Sequence, residues 1–173
     1  MADDCGGIVR LFGGRPAFGL TMERVTGTSQ IDLWDSQSGD VIGALFRHEW
    51  DGVNARLSIE APQRGLSFHA EGADLFSVLQ DLRKESLEPL GLIPLCNGAR
   101  VDCRPSGLAA SMGGGMVVYV LSSRRLLGGR PLVGTFDPAP KKCVGTVDAQ
   151  NAYFEQLATL RGFLRSFWGR PRA

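Results

Sequence analysis

Histidine and cysteine are scarce in this 173-residue chain, and their spacing excludes most metal chemistry. Only His48 and His69 are available, so a site built on several histidines is excluded. Cys5, Cys96, Cys103 and Cys143 include no CxxC pair, and the closest two are separated by six residues. A zinc ribbon or a thioredoxin-like motif is therefore unsupported, and no metal or cofactor is expected. There is also no run of about 18 apolar residues, the length that a membrane-crossing helix needs. The opening Met1-Ala2-Asp3-Asp4-Cys5 is acidic where a secretory signal would carry basic residues and a long apolar core. The expectation is a cytoplasmic protein with reduced thiols and no membrane partner.

Composition is that of an ordinary globular domain, 43% hydrophobic and 21% charged. At this length one core is expected, hence a single domain over 1–173. The net charge of +1 conceals a division. Up to Arg100 there are 14 acidic and 9 basic residues, 9 − 14 = −5; from Val101 onward there are 4 acidic and 10 basic, 10 − 4 = +6. Either the two parts complement each other within the fold, or the cationic part awaits an acidic partner. Nucleic acid is not the expected partner, because the total charge lacks the strong basic bias of such binders.

Short apolar runs alternate with turn signals from Gly7 to Ala70, as in an antiparallel meander. Candidate strands fall at Ile8–Phe12 and Ala17–Val25. Ile31 and Leu33 then share a face opposite Asp32 and Trp34, and Ser36–Asp40 reads as a hairpin connection to a strand over Val41–Trp50. Asp51-Gly52 turns the chain into the alternating Ala55, Leu57 and Ile59, and Pro62–Gly65 separates these from Leu66–Ala70. A helix follows over 73–87, its stripe of Leu75, Phe76, Leu79, Leu82 and Leu87 being core and Asp81, Arg83, Lys84 and Glu85 occupying the other face, with Pro89 and Gly91 as its stop. Strands are expected within 90–136, among them Val117–Leu121 and Leu132–Phe136. The last helix, 147–168, starts at a capping Thr146 and carries Tyr153, Leu157, Leu160, Leu164, Phe167 and Trp168 on one stripe. The fold class is thus α+β, an antiparallel sheet of about six to eight strands packed by two main helices.

Chemistry is concentrated, if anywhere, around Gly113-Gly114-Gly115. A phosphate-binding loop would lead from these glycines into a helix, and here they lead into a strand without a following Lys-Ser or Lys-Thr. A small anionic ligand at the glycine run is nonetheless one alternative. Another is a small hydrolase using Cys96, Cys103 or Ser106 with His48 or His69. Ser106 lacks the glycine two residues earlier that a nucleophile elbow uses, and both cysteines flank buried-looking runs, so a turn serine and structural thiols are favoured.

Asn97-Gly98-Ala99-Arg100, Pro105-Ser106-Gly107-Leu108, Met112–Gly115 with Tyr119-Val120-Leu121, and the later Phe136-Asp137 and Val147–Tyr153 resemble a group of small bacterial proteins encoded beside polymorphic toxins. The resemblance covers roughly the second half of the chain. It implies a non-enzymatic immunity protein that binds a cognate toxin or effector domain and occludes its active site. The expected contact surface is the 104–115 loop with the adjacent arginines, through Arg104, Ser106, Met112, Arg124 and Arg125, since loops on a rigid sheet and arginine side chains commonly carry recognition.

Overall fold

The computed structural model describes residues 24–121 and 131–168, with side chains of the last helix described as far as Thr159. The expected strand at 8–12, and all but the end of that at 17–25, lie outside the described residues. Four long strands follow in a meander: β1 (Val25–Asp35), β2 (Val41–Trp50), β3 (Ala55–Ala61) and β4 (Leu66–Gly72). Asp35 makes the first turn, because its carboxylate accepts from the Gln37 and Ser38 amides at 2.9 and 3.2 Å and pairs with Arg64 at 2.8 Å. Those donors hold its pKa down to about 2.

The register sorts side chains by row. Ile31, Phe46, Leu57 and Ile59 point to the inner face, whereas Thr28, Arg47, Ser58 and His69 form one row across the outer face. Helix α1 (Leu75–Leu82) covers the inner face with Leu75, Val78, Leu79 and Leu82. Each fully buried aliphatic side chain there contributes about 1.5–3 kcal/mol. Asp74 caps α1 by accepting from the Phe76 and Ser77 amides. The helix does not continue regularly to residue 87. Arg83–Leu87 forms a π-helical turn, and Pro89 and Gly91 end the element as expected.

The single sheet of six to eight strands is corrected to two. The larger has the order β4-β3-β2-β1-β5, where β5 is only Leu92–Pro94; the smaller has the order β6-β7-β8, from β6 (Cys103–Arg104), β7 (Val117–Val120) and β8 (Leu132–Gly134). The 104–115 stretch is not wholly a loop either, because Gly107–Ser111 forms the short helix α2. Helix α3 (Val147–Trp168) begins as expected, with the Thr146 hydroxyl accepting from the Ala149 amide at 3.1 Å.

A buried polar hub joins these parts. Arg83 is fully buried and donates to the Gly98 carbonyl at 3.2 Å, the Gln150 side-chain oxygen at 2.9 Å and the Gly145 carbonyl at 2.6 Å. Gln150, also fully buried, donates through its amide to the carbonyls of Gly98, Arg100 and Cys103. Glu88 stands 3.5 Å from Arg83 and accepts from the Val147 amide at 2.8 Å. The irregular segment 97–103 has few ladder bonds of its own, so these two side chains satisfy its carbonyls.

Candidate protein-binding surface

Ser106 and Met112 cap the two ends of α2, and Arg104 lies on β6 just before it. The Ser106 hydroxyl accepts from the Ala109 amide at 3.1 Å, which commits it to capping α2. Leu108 and Met112 then lie one turn apart and are 67% and 66% exposed. Arg104, on β6, stands over the Phe154 ring at 5.3 Å and pairs in register with Tyr119. Arg104, Pro105, Ser106, Tyr119 and Leu121 line a shallow cleft of about 410 Å³, and the Tyr153 hydroxyl donates to the Leu121 carbonyl at its rim. Arg124 and Arg125 lie outside the described residues.

The glycine run fixes this ridge in place. Gly114 and Gly115 have φ of +58° and +69°, a region that strains any residue with a Cβ. A Cβ at Gly114 would enter the Trp50 ring, and one at Gly115 would stand 2.5 Å from the Asp74 carboxylate and 2.7 Å from the Phe76 amide nitrogen. The Gly114 carbonyl accepts from the Leu75 amide, so the run is docked on the start of α1. The first amides of α1 are taken by Gly114 and Asp74, and the Gly115 and Met116 amides donate to Ala109 and Gly113. An anion at the run would have to displace these bonds.

The two histidines lie on opposite faces of the larger sheet, and the thiols Cys96 and Cys103 are buried. Cys96 and Cys103 are fully buried, and burial pushes their pKa values up to about 11 and about 12, so both are protonated thiols at neutral pH. His48 is buried on the inner face, stacked on Phe136 with ring centroids 4.5 Å apart, and burial lowers its pKa. His69 lies exposed on the outer face. Among the described residues no hydrogen bond links either histidine to Cys96, Cys103 or Ser106, and no three His, Cys, Asp or Glu side chains converge for a metal.

Charge is distributed as two partly separate systems. Arg24, Arg47, Arg56 and Arg64 pair with Glu49, Glu60, Glu71, Asp35 and Asp40 within the meander. Among the described residues, no basic side chain beyond Arg100 is ion-paired with a carboxylate of the first hundred; Arg104 and Lys141 rest instead over aromatic rings. Leu108 is the site residue that the sequence reading missed. Ser106 as a cap, with apolar residues two and six positions later, was the available signal.

No family model and no curated protein matches this chain. Among the described residues no helix is long and apolar enough to cross a membrane.

Proposed function

We propose that the chain is a non-enzymatic immunity-type protein of the bacterial cytoplasm, which binds a cognate toxin or effector domain and occludes its active site. The observation that carries this reading is the ridge of Leu108 and Met112, two large apolar side chains held outward on a capped helix whose base is fixed by Gly114 and Gly115. Rigid apolar anchors beside an arginine are the elements that dominate protein interfaces. Arg104 on β6, and in the sequence Arg124 and Arg125, supply cations that suit a partner surface with an apolar centre and carboxylates at its rim. Protonated thiols and a serine engaged as a cap give an enzymatic reading less to work with.

The test is titration calorimetry between this chain and the purified product of the adjacent gene. Micromolar or tighter association is expected, weakened by about 100-fold in Leu108→Glu/Met112→Glu if each anchor contributes about 1.4 kcal/mol or more. The melting temperature of that variant should match the parent because both side chains are exposed. A pair showing no association overturns the proposal.

A further inference from the structure

Among the described residues the two sheets end in four edge strands, and three of them are poor templates for another strand. Strand β5 has three residues and ends at Pro94, β6 has two, and β8 has three. Strand β4 differs. It runs for seven residues, Leu66 to Gly72, without proline, lysine or arginine, and its register with β3 is unbroken from Ala55↔Gly72 to Ala61↔Leu66, so no bulge turns it away. Edges of this length ordinarily carry one of those devices, because their unpaired N–H and C=O groups recruit a further strand.

The two faces of β4 are also sorted for pairing. Leu66, Phe68 and Ala70 are half-buried and rest on the core from one side only, while Ser67, His69 and Glu71 are exposed on the outer face. We propose that β4 is a homodimer interface, in which two copies pair β4 antiparallel about a two-fold axis through His69. This register is the one that pairs all seven residues: Leu66 with Gly72, Ser67 with Glu71, Phe68 with Ala70, and His69 with itself. Apolar row meets apolar row, and no two carboxylates oppose each other. The occupant is therefore a second copy of this chain, and the larger sheets join into ten strands. The outer-face cleft of about 620 Å³, whose lining includes His69 and Glu71, then continues across the axis into that of the second copy.

The experiment is sedimentation velocity on the full chain over about 10–200 µM, the range of weak, modest-area interfaces. The expected species has twice the 18.6 kDa chain mass. His69→Lys places two ammonium groups opposite one another at the two-fold axis and should weaken the dimer by roughly 10-fold, with the circular dichroism spectrum unchanged. His69→Cys should form a covalent dimer on diamide oxidation, whereas Thr28→Cys, in the same outer row but away from the edge, should behave as the parent chain does. A parent chain that remains at single-chain mass overturns the proposal, as does a dimer that His69→Lys leaves intact. A β4 edge covered by another part of the same chain would give the first of those results.

Discussion

In the meander, Leu33, Phe46, Leu57 and Ile59 are at most 1% exposed on the inner face, so apolar burial and ladder bonds hold that region together. From Cys96 to Thr146 the ladders are two to four residues long, and the backbone is held by Arg83 and Gln150 reaching in from elsewhere and by Asn97 and Thr135 bonding across the segment itself. The contrast teaches that one fold can obtain its order in two ways. A periodic region depends on many interchangeable apolar contacts. An irregular one depends on a few polar groups, Arg83 and Gln150 each serving more than one backbone carbonyl.

The sharpest test of that contrast is Arg83→Met. It keeps most of the stem volume but leaves the Gly98 and Gly145 carbonyls and the Gln150 oxygen without the guanidinium that serves them. Removing one partner of a buried charged network costs about 3–5 kcal/mol. Urea denaturation should show a loss of that size, whereas Leu45→Ala, on the half-buried outer side of β2, should cost less. A loss under about 1 kcal/mol in Arg83→Met would mean that water replaces the hub and that the contrast is wrong.

Gly115→Ala is the next in size. The substitution must adopt φ near +69° and its Cβ meets the Asp74 cap and the Phe76 amide, so both the backbone and the start of α1 have to move. The combined effect should be about 2–3 kcal/mol. Hydrogen exchange should locate it at the Phe76 and Ser77 amides, ahead of any change in β1–β3.

These two positions also show what sequence could and could not convey. Strands β2 to β4 with their turns, the Ile31–Leu33 alternation of β1, the stripe of α1 and the Thr146 cap follow local patterns of two or three to four residues, and these were legible. The glycine run announced an unusual backbone requirement, but its reason lay in Trp50 and Asp74, distant in sequence. Arg83 read as one charge on the polar side of a helix, because nothing local signals that a π-helical turn will carry it inward to Gly98 and Gly145. The division into two sheets was hidden for the same reason: strands of two and three residues are too short to show a period. At the candidate surface, the helix that aligns Met112 with Leu108 was not legible, because five residues of Gly, Ala, Leu and Ser show no helical period.

His48 provides the mildest test, at the seam between the two regions. It belongs to β2, but its ring stacks on Phe136 from the segment after β8, and its buried Nδ1 has no hydrogen-bond partner among the described residues. Burial lowers its pKa below the ordinary value of 6.5, so the folded state favours the neutral imidazole. Below pH 6.5 the unfolded chain binds a proton that the folded chain resists. Stability contributed by this site is therefore complete above pH 6.5 and declines as pH falls from there toward the folded-state pKa. His48→Phe keeps a ring against Phe136 and removes the titration. The difference in unfolding free energy between parent and variant should be flat from pH 7 to 8 and should move against the parent as pH falls below 6.5. The carboxylates common to both proteins cancel in that difference. A difference that stays constant from pH 8 to 5 would show that the seam opens to solvent at His48, and that the Phe136 segment is less tightly joined to the sheet than its ring stacking implies.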